Sequence, residues 1–126
     1  AITRSMYGRF PEYHTSADNL TFVSQGNLNE SLAVYLKVIM TYELNCTFSR
    51  INPFCEPQLG KYNLYRTVGG GGEDNLEVML QQRMWLLNYA DEETDLLTIS
   101  ERSGFSAIEL AATSLELIEA GLITKM

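Results

Sequence analysis

Four consecutive glycines, Gly69 to Gly72, interrupt the chain between Val68 and Glu73. Glycine gives up more backbone freedom on folding than any other residue and brings no side chain to pack, so such a run cannot sit inside a regular element. The chain is therefore expected to divide there, into a part over 1–68, a linker over 69–74 and a part over 75–126. A length of 126 residues suits one ordinary domain or two small ones. An apolar fraction of 45% is enough for a core rather than a disordered tail.

Before the glycines, Ile2, Met6 and Tyr7 suggest a short strand over 2–7, and Gly8 and Pro11 punctuate a loop over 8–19. A helix is expected from Asn29 to Asn45, with Asn29 as N-cap and Glu30 in the first turn. Leu32, Tyr35, Leu36, Ile39, Met40 and Tyr42 follow helical spacing, and Val34 and Val38 carry the apolar surface round the side. A helix so widely apolar is normally packed into a larger body. Pro53, Pro57 and Gly60 make 46–68 an ordered but irregular segment. The opening Ala1-Ile2-Thr3-Arg4-Ser5 has no initiator Met and reads like the middle of a strand, so the chain is expected to continue upstream of Ala1.

After the glycines, three helices are expected. The first runs over 75–89, with Asp74 as N-cap and Glu77 three residues on; Leu76, Met79, Leu80, Met84 and Leu87 share a face with Trp85 at its edge. The second runs over 95–103 and stops at Gly104; the third starts at Ser106, partnered by Glu109, and stops at Gly121. Leu110, Leu117 and Ile118 line its inner face, and Leu122-Ile123-Thr124 reads as a strand. Two helices meeting across Gly104, then a short strand, have the form of a winged helix-turn-helix.

Charge argues against the usual work of that motif. The net charge is −7, and residues 75–126 hold nine acidic side chains against Arg83, Arg102 and Lys125. The helix from Ser106 to Ala120 has no Lys, Arg, Asn or Gln, but has Glu109, Glu116 and Glu119. Phosphate neutralisation supplies most of the affinity for a duplex, so nucleic acid is not an expected partner and a transcriptional regulator is the weakest reading. A packing or interaction module fits better. The glycine run is not a phosphate loop either, because no Gly-Lys-Ser/Thr follows it. No apolar run is long enough to span a bilayer, and the start lacks the apolar centre of a signal peptide. Cys46 and Cys55, without CxxC spacing, read as free thiols of a reducing, cytoplasmic protein.

The only histidine, His14, lies in Tyr13-His14-Thr15-Ser16-Ala17-Asp18. An imidazole bound to zinc needs its second nitrogen and its surroundings held by hydrogen-bonding partners, which Thr15 and Asp18 could supply. Tyr13 could present a phenol to the oxyanion formed when water attacks an amide. On the bare sequence, a lone His in a polar loop is more often a plain surface or structural residue. Glu56, Gln58 and Lys61, in a loop stiffened by Pro57 and turned by Gly60, form either the rim of a site or a solvated turn. Arg4 suits a buried carboxylate partner, in a structural bridge rather than at a rim.

Four segments, in order, carry a resemblance: Thr3-Arg4-Ser5-Met6-Tyr7-Gly8, the His14 run, Cys55-Glu56-Pro57-Gln58-Leu59-Gly60-Lys61 and the C-terminal helices. His-Thr-x-x-Asp resembles the last metal-ligand motif of the co-catalytic di-zinc aminopeptidases and their carboxypeptidase relatives. The whole order resembles bacterial aminopeptidase-like proteins, often linked to polysaccharide biosynthesis, that end in a winged-helix segment. The resemblance implies an α/β fold: the C-terminal part of a zinc-aminopeptidase-like α/β/α sandwich over 1–68, then a small, mostly helical winged-helix module over 75–126. It implies zinc, two ions in the complete site, with His14 as one ligand and Tyr13 as the oxyanion donor. Thr15 and Asp18 would support the ligand, and Arg4, Glu56, Gln58 and Lys61 would stand at the rim. The reaction implied is metal-assisted hydrolysis of a peptide or small amide. The family's His-x-Asp pair, bridging Asp, Glu base and further carboxylate have no counterpart here and would lie in the same polypeptide upstream of Ala1. Two alternatives stay open, a degenerate pseudo-enzyme and a non-catalytic interaction module; association of copies is also left open.

Overall fold

The computed structural model describes residues 2–65 and 73–126. It divides into two compact units, Ala1–Met40 and Thr41–Met126. The expected linker glycines, Gly69 to Gly72, lie outside the described residues.

In the first unit, residues 3–23 are a succession of turns. The expected strand over 2–7 does not form, because among the described residues no neighbouring strand offers it a backbone ladder; the α/β sandwich is likewise not visible in this chain. The turns are held by rings instead. Phe10 stacks on Phe22 at 5.7 Å and meets Tyr13 edge-on at 5.7 Å. Helix α1 spans Gln25–Leu44, so it begins four residues before the expected Asn29. The backbone N–H of Asn27 donates to the Ser24 hydroxyl at 3.2 Å, which makes Ser24 the capping side chain. The apolar spacing starts only at Leu28, so a polar first turn hid the true start. No residue of α1 is buried, although Leu32, Leu36, Ile39 and Met40 are each about half exposed.

The second unit holds a three-stranded sheet against three helices. Strand β1 is Thr47–Arg50, α2 is Glu73–Asn88, β2 is Asp91–Asp95, α3 is Leu96–Ser103, α4 is Ala107–Glu119 and β3 is Ile123–Lys125. A short 3-10 helix, Leu59–Tyr62, lies between β1 and α2. The strand order is β2-β1-β3, antiparallel throughout, so the central strand comes from the segment before α2. This unit begins well upstream of the expected boundary at 69–74, because β1 needs both neighbours: Ser49 pairs with Asp91 on one side and with Thr124 on the other. The unit combines three helices with a three-stranded sheet, whose central strand lies upstream of the expected module over 75–126. Glu73 and Asp74 lie within α2, where a linker end and an N-cap were expected.

The core is made by Phe48 from the centre of β1, Leu86 of α2, Leu96 and Ile99 of α3, Leu110 and Leu117 of α4, Ile123 of β3 and Leu59 of the 3-10 helix, all under 2% exposed. Residues α2 hides differ from the expected stripe. Gln82 and Arg83 are buried beside Leu86 and Leu87, while Leu76, Met79 and Met84 are only partly so. Both polar side chains are satisfied: Thr113 donates to Gln82 at 2.8 Å, and Arg83 donates to Glu116. Polar groups can face inward where every donor finds an acceptor.

Strand β2, Asp-Glu-Glu-Thr-Asp, has no apolar residue and was not expected. It is an edge strand, where charge is tolerated and discourages further pairing. Asp91 accepts from the backbone N–H of Thr94 at 2.7 Å and from its hydroxyl at 2.8 Å, and the Ser49 hydroxyl donates to Glu92 at 2.7 Å. Asp95 then caps α3, accepting from the Thr98 N–H at 2.8 Å and from the Asn45 amide at 2.9 Å, while the Asn45 carbonyl takes the Leu97 N–H at 3.0 Å. The Asn45 amide first, and then Thr98, hold the Asp95 carboxyl below its ordinary range, and backbone Thr94 does the same for Asp91. Because the folded pKa of Asp95 lies below the unfolded value of about 3.9, its contribution is complete above that pH and is lost as pH falls through the folded value. Asp95→Ala is expected to cost about 1 kcal/mol at neutral pH. The penalty should shrink below about pH 4, measured by urea unfolding; a penalty independent of pH would contradict the cap.

Candidate functional site

His14 sits at a turn with φ 56°, a left-handed backbone that turns its imidazole outward, and the residue is exposed. The turn is made by its neighbours. The Thr15 hydroxyl donates to the Glu12 carbonyl at 2.9 Å and accepts from the Ala17 N–H at 3.2 Å, and the Thr15 N–H also returns to Glu12. Thr15 is therefore engaged in shaping the turn. Among the described residues no hydrogen bond joins Thr15 or Asp18 to the imidazole. Tyr13 is half-buried, its ring 4.1 Å from that of His14 and 6.2 Å from that of Tyr7. Tyr13 and His14 are thus adjacent and held by a ring cluster. No group of three His, Cys, Asp or Glu able to hold a metal occurs among the described residues. His14 fits a metal as one outward ligand only, with the rest of any such site supplied from elsewhere.

Arg4 donates to Glu30 at 2.7 Å and to the Asn27 carbonyl at 3.2 Å, so it ties the first turns to the start of α1. Both partners of this bridge are well exposed, which makes it worth little energetically.

Glu56, Gln58 and Lys61 come together in the second unit, in a cleft of about 390 Å³ at the end of β1. Arg50, which was not among the expected rim residues, lines it too, with Phe54 and Tyr62. The Arg50 guanidinium donates to the Cys55 carbonyl and so holds the loop. The strand end is fixed on both sides: the Arg50 N–H donates to the Ala90 carbonyl and the Ile51 N–H to that of Leu122, both at 3.1 Å. Cys55 is at φ 58° and exposed, and Cys46 is half-buried; both are free thiols. Burial pushes the Cys46 thiol up, with Lys125 pulling the other way.

Helices α3 and α4 meet at Gly104, whose φ of 78° needs a residue without Cβ strain, and its N–H closes α3 on the Ser100 carbonyl at 2.9 Å. The Ser100 hydroxyl donates to the Phe105 carbonyl at 2.6 Å, and the Ser106 N–H donates to Glu109 at 3.3 Å to open α4. The outward residues of α4 are Glu109, Ala112, Leu115 and Glu119. None can donate to a base edge or neutralise a phosphate. On the neighbouring surface Trp85 and Tyr89 are stacked at 5.5 Å, with the Arg102 guanidinium 5.1 Å over Tyr89. No helix among the described residues is long and apolar enough to cross a membrane.

Residues 46–125 match the winged helix-turn-helix family, and residues 1–45 match a domain of unknown function, DUF4910. The chain is 43% identical over 121 residues to a Clostridium acetobutylicum protein named “Putative polysaccharide biosynthesis protein with aminopeptidase-like domain”; the match covers 94% of this chain and 27% of that protein. It is also similar to the crystal structure of a “putative peptidase” from Clostridium acetobutylicum, with a TM-score of 0.74 and 34% identity over 93% of this chain and 24% of that one. The chain thus spans about a quarter of the length of the relatives it matches.

Proposed function

We propose, given that this chain belongs to the winged helix-turn-helix family through residues 46–125, that it is the C-terminal part of a zinc-dependent, aminopeptidase-like hydrolase. In this reading the winged-helix module serves protein packing and not nucleic acid. The observation that carries the reading is the pair Tyr13-His14: an outward imidazole on a left-handed turn, with a phenol held beside it by rings. The likeness to a protein whose name includes an aminopeptidase-like domain, and to one titled a peptidase, supports it.

His14 would give one ligand to a zinc site completed by upstream parts of the same polypeptide. Bound zinc would polarise the amide carbonyl and acidify the attacking water. Tyr13 would donate its phenol hydrogen to the oxygen on which negative charge develops. The substrate class is a peptide or small amide, and the relative's name makes polysaccharide biosynthesis the setting we favour. The widely apolar α1 supports packing against those upstream parts, because an amphipathic helix is stable only where its apolar face is covered. Outward Glu109 and Glu119 on α4, flanking Leu115, support the protein-packing role of the module.

Elemental analysis tests the reading. Full-length protein should carry zinc, and His14→Ala should lose at least one equivalent while retaining its fold by circular dichroism. Full-length protein that binds no zinc would instead favour an interaction module with an incidental His14.

A further inference from the structure

We infer that the cleft at the end of β1 binds a small organic anion with an apolar body. The cleft is built wholly from the second unit, so the inference holds or fails independently of any metal at His14.

The first observation is the placing of charge in an acidic chain. Of the cations described in this unit, Arg83 is paired with Glu116 and Arg102 lies over the Tyr89 ring. Two of the other three, Arg50 and Lys61, line the same cleft of about 390 Å³. Among the described residues the Lys61 ammonium has no hydrogen bond or ion pair, whereas Arg50 donates to the Cys55 carbonyl. A chain with a net charge of −7 gathers two positive groups here and leaves one of them unanswered.

The second observation is rigidity. Arg50 rides on a strand end bonded to both Ala90 and Leu122. Lys61 rides on a 3-10 helix anchored by Leu59, which is fully buried, and closed by the Leu64 N–H on the Leu59 carbonyl at 3.0 Å. Backbones fixed in this way keep a site formed before its ligand arrives.

The third is the lining. Leu87 and Leu122, both nearly buried, give an apolar wall, Phe54 and Tyr62 give exposed rings, and Gln58 and Glu56 give neutral and anionic acceptors. The lining is about half polar, and polar groups converging beside an apolar wall can fix the orientation of a small molecule. Two cations suit an anionic head, and the Glu56 carboxylate suits an N–H beside it. The head is a carboxylate or a phosphate; the shared chemistry is an anion on an apolar or aromatic body.

Isothermal titration of the full chain with N-acetylphenylalanine, its uncharged amide, phenyl phosphate and inorganic phosphate tests this. One of the two organic anions should bind, and which one does so identifies the head. The amide and inorganic phosphate should bind at least tenfold more weakly. Lys61→Gln, on an exposed side chain with no partner to lose, should weaken the organic anion about fivefold, the worth of one exposed charge contact, with an unchanged melting temperature. Failure of both organic anions to bind, equal binding of the amide, equal binding of inorganic phosphate, or undiminished binding to Lys61→Gln would each overturn the inference.

Discussion

On the proposed hydrolase mechanism, Tyr13→Phe in the full-length protein is expected to lower turnover by about a hundred- to a thousandfold, the cost of removing one oxyanion donor, while leaving zinc content unchanged. The substitution removes one oxygen and keeps the ring. That matters because the ring is structural: it meets Phe10 at 5.7 Å, Tyr7 at 6.2 Å and His14 at 4.1 Å. A phenyl group preserves these contacts and with them the turn that presents His14. The loss should fall on kcat far more than on KM, because a donor that strengthens only as charge develops stabilises the transition state selectively. Steady-state kinetics on an aminoacyl anilide, with zinc measured on the same sample, separates the outcomes. Equal loss of zinc and of turnover would mean that Tyr13 acts by holding His14. Unchanged turnover would remove Tyr13 from the chemistry.

What was legible in the residues depended on whether the signal was local. Helices α3 and α4 stand where they were expected, because their ends are written in neighbouring side chains: Asp95 and Ser106 at the starts, Gly104 at the turn. The strand over 122–124 appears one residue on, at Ile123–Lys125. Strands β1 and β2 were not legible, since neither carries an alternating apolar pattern. Thr47-Phe48-Ser49-Arg50 hides one large apolar residue, and β2 hides none; both are strands because of partners far along the chain. The same distance problem concealed the cleft. Glu56, Gln58 and Lys61 stand out as a loop motif, but Arg50 joins them only once the sheet fixes the end of β1. The reverse holds at His14, where adjacency in sequence already puts Tyr13 beside it and the fold adds the outward turn. Arg4 was expected to meet a buried carboxylate; its partner is the carboxylate of Glu30, but both side chains are exposed.

Arg83→Met is expected to destabilise the second unit by about 2–3 kcal/mol, below the usual cost of stripping a fully buried pair because Glu116 keeps part of its hydration. Arg83 is buried on α2, the face that periodicity alone assigns to apolar side chains. Three of its five N–H donors are engaged: Nε and Nη2 donate to one Glu116 oxygen at 3.1 and 2.6 Å, and Nη1 donates to the Leu64 carbonyl at 2.9 Å. One side chain thereby ties α2 to α4 and to the loop that follows the 3-10 helix. Removing it strands the Glu116 carboxylate and leaves the Leu64 carbonyl without its donor. Glu116→Leu alone should cost less than Arg83→Met only if the Leu64 bond still occupies the guanidinium; the cation is otherwise left in the interior. The double variant removes both charges, so it should recover most of the ion-pair part and retain a deficit of about 1 kcal/mol for the Leu64 carbonyl. Trp85, the single tryptophan, lies two residues along α2 and reports unfolding of this unit by fluorescence in urea. Strict additivity of the two single changes would show that the pair contributes nothing as a pair, and the inward charge on α2 would then owe its place to the Leu64 carbonyl alone.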